Sequence, residues 1–305
     1  DRLGGLLQEN LDPAVAGLLE GTAFMAARVQ TRMDEEFRTF SEEMLEQILP
    51  GILAPIPSAM LVQAALPLDN KDLAQGVHFP RGDYLDARFR DADRRVSCRF
   101  RLSADLTLWP IAIGDLRYLS ASGPISALGR DAAEGTKAGL QISLGTVSSS
   151  GKPGSGAAFA ELPMDTLPLH FTGPYSEAVA LYEQAISGRV RASLRWLDSR
   201  GDPVFATLRP DQIDQIGFAE DEQLFDHQNR IFSGFALLRD AFVFPRKFLG
   251  LRLTGLRRLL SRIKASEVQL LLEFDSTDET LAARLGPEDV RLHCAPAVNL
   301  FEDSC

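Results

Sequence analysis

The sequence has few of the residues on which disulfide frameworks, membrane anchors and most enzyme sites depend. Its 305 residues include only three cysteines and four histidines. Cys98, Cys294 and Cys305 are too few and too scattered to form a disulfide framework, which fits a reducing compartment. No apolar run reaches the roughly 18 residues that a membrane-spanning helix needs, and the first residues do not resemble a secretory signal. We therefore expect a cytoplasmic protein with no direct membrane span.

Charge and composition argue against two further classes of protein. The net charge is −10, and 45% of the residues are hydrophobic and 24% are charged. An acidic chain is poorly suited to neutralising phosphates, so no nucleic-acid partner is expected. The composition is that of an ordinary globular protein rather than a disordered one. A chain of this length can hold two or three modest domains.

No pattern in the sequence predicts catalysis, a metal site or a cofactor. The glycine- and serine-rich stretch 145–156 resembles a phosphate-binding loop only superficially, because the glycine spacing is wrong and Pro153 occupies the position of the magnesium-binding Ser or Thr. We interpret this stretch as a flexible surface loop. The tripeptide 81–83, Arg-Gly-Asp, follows a proline and is predicted to be a tight turn. Adjacent His293 and Cys294 are predicted to point to opposite faces of a strand, which disfavours a shared metal.

Apolar periodicity predicts an α+β protein with three regions. These are a helical segment at 1–54, a β-rich domain of sandwich or barrel-like type with one helix at 55–215, and a small α+β module at 216–305. In the first region Asp12 and Pro13 are a typical helix start, and a capping box at 39–42 predicts that a second helix begins there and ends near Pro50. We therefore expect a helical hairpin or a bent helix. The first helix has an apolar stripe made of Val15, Leu18, Leu19, Thr22, Met25, Ala26, Val29 and Met33.

The middle region consists of short apolar runs separated by turn residues. Strands are predicted at 77–79, 98–102, 106–113, 140–144 and 167–171. Helical spacing then covers 175–187, and strands at 190–196 and 204–208 flank a turn. After residue 216, strands are predicted at 249–253, 268–274 and 290–294.

Six of the eighteen phenylalanines lie between Phe225 and Phe248. A helix over 229–244 is predicted to collect Ile231, Phe235, Leu238 and Phe242 in one stripe, which Leu237, Ala241 and Phe244 extend. Asn229, Ser233 and Asp240 would form a narrow polar strip. Such a helix cannot lie on a solvated surface, so it is predicted to be wedged between layers of its own fold or between subunits. The stretch that follows, from Arg246 to Lys264, is basic and suits either docking to an acidic partner or a solvated edge.

The run LLRDAFVFPRKFLGLRLTGL at 237–256 resembles the signature of the TssF family, the baseplate subunit of the type VI secretion system. Further blocks resemble the family in the same order, at 12–37, 55–62, 98–113 and 292–301. The resemblance implies a non-enzymatic structural protein of a Gram-negative bacterium, without a cofactor. Its implied partners are TssG, TssE, TssK and a second TssF copy. Together they form a cytoplasmic, phage tail-like platform at the inner membrane, which contacts the membrane complex and supports the tube and contractile sheath.

Family members are longer than this sequence, so we expect a partial chain whose 216–305 module is truncated. The candidate packing or interface residues are Leu18, Met25 and Val29, for a helical bundle with a partner, and Phe235, Leu238, Phe242 and Phe244, for the core of the wedge. Two alternatives remain at this point. One is a baseplate protein of a phage-type contractile tail, and the other is an enzyme or small-molecule-binding β domain, which would need a deep pocket with converging polar groups.

Overall fold

The computed structural model describes residues 13–48, 52–90, 95–225 and 232–300. The chain divides into two compact units, residues 1–56 and 57–305. The helices are α1 Pro13–Ile48, α2 Ser122–Ser126, α3 Tyr175–Ile186, α4 Ser233–Val243, α5 Arg257–Leu260 and α6 Glu279–Arg284. The strands are β1 Ala59–Gln63, β2 Val77–Phe79, β3 Tyr84–Arg90, β4 Arg95–Leu102, β5 Leu106–Leu108, β6 Ile111–Leu119, β7 Ala138–Thr146, β8 Leu167–Phe171, β9 Arg189–Leu197, β10 Pro203–Leu208, β11 Ile213–Gln215, β12 Gly250–Leu253, β13 Glu267–Phe274, β14 Val290–Arg291 and β15 Cys294–Val298.

The first unit contains one continuous helix of 36 residues, so the predicted hairpin is wrong. The predicted capping box does not form, because its hydroxyl is used inside the helix. The Thr39 hydroxyl donates to the carbonyl of Glu35 at 3.0 Å, and Ser41 donates likewise to Phe37 at 2.8 Å. Such bonds to the preceding turn leave the helical backbone pairing intact. Asp12 and Pro50, the predicted start and stop signals, lie outside the described residues.

The second unit is built from four sheets in which all pairs of neighbouring strands are antiparallel. The largest has the strand order β10-β9-β13-β7-β6, and two four-stranded sheets have the orders β11-β12-β8-β14 and β1-β15-β4-β3. Strands β2 and β5 form a separate pair. Each sheet is open among the described residues, so the α+β prediction is confirmed without a closed barrel.

The structure does not divide the second unit at the predicted 215/216 boundary. Strand β13 lies between β9 and β7 in the centre of the largest sheet, and β12 and β15 pair with strands from the first part of the unit. The last ninety residues therefore complete sheets begun earlier in the chain. Such long-range pairing leaves no local signal in the sequence, which explains why alternating helices and strands there resemble a separate module.

Two predicted strands are each split in two. Pro110 lacks the N–H that a ladder needs and separates β5 from β6. His293 has a φ of 57°, the only positive φ of a non-glycine residue among those described, and it separates β14 from β15. Consequently His293 and Cys294 are not consecutive residues of one strand, and that prediction is wrong.

Three apolar clusters form the interior of the second unit. The main one combines residues of the largest sheet, of the β11-β12-β8-β14 sheet and of α3. Its fully buried members include Leu140, Ile142, Leu169, Leu251 and Leu270. A second cluster includes Phe100 and Leu102 of β4 together with residues of β5 and β15. The third consists of Leu224, Phe225 and Val298, against which Val243 and Phe244 pack.

Candidate interaction surfaces

Helix α1 presents an exposed apolar face along its whole length. None of its 36 residues is buried. Its large apolar side chains are between 42% and 71% exposed, and they are Val15, Leu18, Leu19, Phe24, Met25, Val29, Met33, Phe37, Phe40, Met44, Leu45 and Ile48. An apolar face of this extent is typical of a surface that packs against further protein. The candidates Leu18, Met25 and Val29 belong to it and are 71%, 67% and 58% exposed.

The polar side chains of α1 stabilise the helix locally. Hydroxyl groups of Thr22 and Thr31 donate to carbonyls of the preceding turn at 2.9–3.0 Å. Arg32 pairs with Glu36 at 3.4 Å and Arg38 with Glu42 at 2.7 Å, in both cases four residues apart. The hydrogen bond and charge of Glu42 raise the pKa of the Arg38 guanidinium. These exposed pairs contribute little individually to the stability of the helix.

Helix α4 carries a second exposed apolar surface, which we call the phenylalanine face: Phe232, Phe235, Leu238 and Phe242. Their side chains are 74%, 43%, 54% and 82% exposed. The Phe232 and Phe235 rings meet edge to face, with centroids 5.9 Å apart. A Cβ at Gly234 would overlap the Phe232 ring, so this packing requires glycine.

The orientation of α4 is therefore the reverse of an ordinary amphipathic helix. Asp240, predicted to lie on a polar strip, is fully buried, whereas the predicted apolar stripe faces outward. Phe235, Leu238 and Phe242 are not core residues of this chain. Phe244 is half-buried and packs against the cluster of Leu224, Phe225 and Val298. Asn229 and Ile231 lie outside the described residues.

A buried ion pair fixes this orientation. The Lys247 ammonium donates to Asp240 Oδ2 at 2.5 Å, and the two side chains are 1% and 0% exposed. Lys247 also donates to the carbonyl of Glu222 at 3.0 Å, and the same Asp240 oxygen accepts the Leu224 amide at 2.9 Å. Desolvation lowers the pKa of Lys247, while its hydrogen bond to Asp240 opposes that shift. The pair thus ties α4 to the turn at Pro245–Phe248 and to the segment before the helix.

A second ion pair connects these bonds to the β11-β12-β8-β14 sheet, and together they form one polar network. Arg252 on β12 contacts the Glu222 carboxylate, whose other oxygen accepts the Gly217 amide at 2.8 Å. Arg81 donates to the carbonyl of Gln223 at 3.0 Å. Gly82 beside it has a φ of 98°, which confirms that the Arg-Gly-Asp tripeptide is a turn. Sequence reasoning missed this network, because its members come from separate segments of the chain.

The basic stretch 246–264 separates into an internal and an external part. Arg246 donates to the carbonyl of Gly173 at 3.0 Å and lies over the Tyr175 ring, and Lys247 and Arg252 belong to the network. The four remaining basic side chains are exposed, and they are Arg257, Arg258, Arg262 and Lys264. Within this stretch, only these four are placed where they could contact an acidic partner.

The other candidate sites have structural roles. Residues 145–156 fold back onto β7 so closely that a Cβ at Gly145 would overlap the backbone of Gly154. The hydroxyls of Ser148, Ser150 and Ser155 bond to one another at 2.9–3.1 Å, so the predicted flexible loop is a folded one. His170 and His293 are buried, and desolvation lowers the pKa of each to about 4. Burial raises the pKa of the Cys294 thiol to about 12.

The described residues contain no group of three or more His, Cys, Asp or Glu side chains that could hold a metal ion. A cleft of 370 Å³ beside the 145–156 loop is lined by Asp115, Lys152, Arg195, Trp196 and Glu267, among others. The Arg195 guanidinium in it already donates to the Leu128 carbonyl at 2.9 Å and to Gln269 at 2.7 Å. None of the described helices combines the length and apolar character needed to cross a membrane.

A β-rich unit and a helical unit that each expose an apolar helical face are typical of a structural protein that packs against further protein surface. The model of the family "Type VI secretion system, TssF" matches residues 1–305. The chain therefore belongs to the TssF family of the type VI secretion system.

Two comparisons with individual proteins agree with this membership. The type VI secretion system component TssF1 of Pseudomonas aeruginosa PAO1 is 33% identical over 299 residues, which is 97% of this chain and 46% of that protein. A chain of the cryo-electron microscopy structure of the type VI secretion system TssK-TssF-TssG baseplate subcomplex has the same fold, with a TM-score of 0.68 and 21% identity. The match covers 93% of this chain and 49% of the other. This sequence thus spans about half the length of these relatives.

Proposed function

We propose that this chain is the part of a TssF subunit that builds the baseplate wedge of a type VI secretion system. Its role is to hold other subunits in place through protein contacts, without turnover or a cofactor. Family membership supports this role, and the observation that carries it is the uncovered apolar surface of α1 and α4. The subunit acts in the cytoplasm, at a baseplate associated with the inner membrane.

The partners follow from the same proposal. The similar cryo-electron microscopy structure is a TssK-TssF-TssG baseplate subcomplex, and we extend that assembly to this chain. TssE and a second TssF copy complete the wedge, which contacts the tube, the sheath and the membrane complex. In this proposal Leu18, Met25 and Val29 on α1, and Phe235, Leu238 and Phe242 on α4, are interface residues.

Co-expression with the cognate TssG tests the role directly. We expect a stable complex on size-exclusion chromatography, with a mass that includes both chains. Absence of a complex between the unaltered, folded chain and TssG would contradict the proposal for this part of the protein.

Matched leucine variants test the phenylalanine face. Leu238→Asp should leave the chain folded and weaken assembly of the TssF-TssG-TssK complex by about tenfold or more, because it puts a carboxylate into an apolar contact. Leu197→Asp is the control, since Leu197 is similarly exposed (49% against 54%) but lies on β9. Equal assembly by the two variants would show that the face is not an interface. Circular dichroism and the urea midpoint verify folding in both cases.

A further inference from the structure

Strand β1 lies at the edge of the β1-β15-β4-β3 sheet, where β15 is its only strand neighbour among the described residues. The two ends of the ladder show which residues face β15. The Ala64 amide donates to the carbonyl of His293 at 2.9 Å, and the Ser58 carbonyl accepts the Asn299 amide at 2.8 Å. Because backbone groups alternate in direction along an antiparallel strand, the even-numbered residues of β1 face β15. The N–H and C=O groups of three residues therefore point away from the sheet, and they are Ala59, Leu61 and Gln63.

The residue opposite Leu61 agrees with this direction. It is Pro296, which has no N–H to donate across the ladder, and its carbonyl accepts the Ser103 amide from the other side at 2.9 Å. All five residues of β15 are buried, whereas Met60 of β1 is 36% exposed. Within the part of the chain that the structure describes, no backbone hydrogen bond reaches the outward groups of β1.

The other edge strands each have a feature that hinders the addition of a further strand. Strand β10 begins at Pro203, and Arg130 donates to its Thr207 hydroxyl at 2.9 Å. Strand β6 has a register shift between Ile113 and Asp115, and three of the seven residues of β3 are charged. Strands β2, β5 and β11 have three residues each, and β14 has two.

Strand β1 has none of these features. Its five residues, Ala-Met-Leu-Val-Gln, contain no charge and no proline, and they pair with β15 without a register shift. Five residues is a typical length for a strand. An uncharged, regular edge with free backbone groups is a template for pairing with another strand.

We propose that β1 accepts an extended segment of another protein chain, which adds to the four-stranded sheet as a fifth strand. The segment supplies about five residues, or roughly 16 Å, of extended backbone. Its N–H and C=O groups bond to those of Leu61 and Gln63, and uncharged, mainly apolar side chains lie beside Met60 and Leu61. This rests on the proposed function and deepens it, because it specifies how a baseplate partner binds.

A second copy of this chain is a poorer occupant than a different subunit. Pairing of β1 with β1 would join five residues of each copy, whereas a stable interface uses about 20–30 residues a side. Strand pairing alone is therefore too small to hold two copies together. A subunit already held at the apolar helical faces of the proposed function can add its strand at a high effective concentration.

A proline substitution tests the edge without breaking the sheet. Leu61→Pro removes an N–H that the ladder with β15 does not use, so the chain should fold, but the ring and the missing donor hinder an added strand. With cognate TssG and TssK co-expressed as the probe, the affinity of the complex should fall by about tenfold or more. Circular dichroism and the urea midpoint verify folding.

The matched control is Phe205→Pro on the edge strand β10. The Asp198 amide donates to the Asp202 carbonyl at 2.9 Å, so alternation along this hairpin directs the Phe205 N–H away from β9. This variant places the same residue at an outward position of another edge and should bind normally. Equal affinities of the Leu61→Pro and Phe205→Pro complexes would overturn the inference.

Hydrogen exchange resolved to single amides tests the bonds directly, and it does not depend on how Leu61→Pro folds. In the unaltered chain alone, the amides of Met60 and Val62 should be protected by β15, and those of Leu61 and Gln63 should exchange readily. In the complex, exchange at Leu61 and Gln63 should slow by about tenfold or more. No gain of protection at these two amides would contradict strand addition.

The remaining outcomes separate this inference from the proposed function. If the unaltered chain forms the complex but shows neither the proline effect nor the gained protection, only strand addition is wrong. If sedimentation shows that the chain alone dimerises and that Leu61→Pro abolishes the dimer, the occupant is a second copy and the inference is wrong. If the unaltered, folded chain forms no complex at all, the proposed function fails as well.

Discussion

Helices α3 and α4 have nearly the same length and lie in the same unit, yet they are held in opposite ways. Helix α3, of 12 residues, buries Ala178, Leu181 and Ala185 in the main core. Helix α4, of 11 residues, buries Ala236 and Asp240 and exposes its phenylalanines. Apolar burial thus fixes α3 to its own fold, whereas an ion pair fixes α4 and leaves its apolar surface available to another chain.

The difference shows how a buried ion pair can hold a helix whose large apolar side chains face outward. Exposing a row of large apolar side chains costs free energy in the isolated chain, and the edge-to-face contact of Phe232 with Phe235 offsets only part of that cost. The Asp240–Lys247 pair holds α4 by directional bonds, so the orientation of the helix is defined before a partner arrives. In the proposed function this arrangement favours assembly, because a pre-ordered face loses less conformational entropy on binding.

Breaking the ion pair should have the largest effect on stability. Lys247→Met keeps the aliphatic stem but leaves the Asp240 carboxylate buried without its cation, which should cost about 3–5 kcal/mol of the free energy of unfolding. Adding Asp240→Asn, which still accepts the Leu224 amide, should recover most of that loss. Urea unfolding monitored by tryptophan fluorescence measures both variants.

The control for this experiment is an exposed pair on the same unit. Arg209 and Asp211 are 3.0 Å apart, and their side chains are 72% and 68% exposed. Arg209→Met should change the free energy of unfolding by less than about 1 kcal/mol. If Lys247→Met costs no more than this, the ion pair does not hold α4 and the comparison with α3 fails.

Truncating one apolar residue in each helix sharpens the comparison. Leu181→Ala leaves a cavity in the main core and should cost about 2–5 kcal/mol. Phe242→Ala removes a larger side chain that is 82% exposed, so the free energy of unfolding should change by less than about 0.5 kcal/mol. Thermal or urea unfolding of the chain without partners distinguishes the two. A large loss in Phe242→Ala would mean that the phenylalanine face packs within the chain after all.

The sequence predicted most elements of the fold but not the orientation of α4. Local spacing located α3, the turn between β9 and β10, and the helical character of the phenylalanine-rich segment. The same spacing placed Asp240 on the polar strip, because charged residues are ordinarily exposed. Its cation, Lys247, lies outside the helix, in the turn Pro245–Phe248 that follows it. A pair formed across a turn is a tertiary feature, which periodicity does not record.

Two other differences between the predicted and the observed structure also arise from contacts that local spacing does not determine. The capping box at 39–42 is a real pattern, but a hydroxyl can equally donate to the carbonyl four residues earlier, and in α1 Thr39 does so. The apparent module at 216–305 arises because β12, β13 and β15 pair with strands more than seventy residues away in the sequence. Apolar spacing located the candidate residues of both helices, but it did not show which of them face outward.

The smallest expected effect is a loss of stability at acid pH, which depends on protonation of the buried His170. Leu169 and Phe171 of β8 point into the main core with α3, so strand alternation places His170 on the opposite face, toward Arg252. Burial, and secondarily the charge of Arg252, lowers the pKa of His170 to about 4 from an ordinary value of 6.5. The unfolded chain therefore binds a proton on this group between about pH 6.5 and 4, while the folded chain does not. Its contribution to stability is present above pH 6.5 and is lost as the pH falls toward 4.

Replacing His170 removes that proton uptake. His170→Leu should reduce the loss of stability between pH 7.5 and pH 4.5 by about 1–3 kcal/mol, and the remaining slope includes His293, whose pKa is also lowered to about 4. His78→Gln is the control, because it replaces a histidine whose side chain is 51% exposed rather than a buried one. Urea midpoints measured at both pH values give the comparison. Identical slopes in His170→Leu and the unaltered chain would mean that His170 takes up its proton equally in the folded and unfolded states, and that water reaches the face beside Arg252.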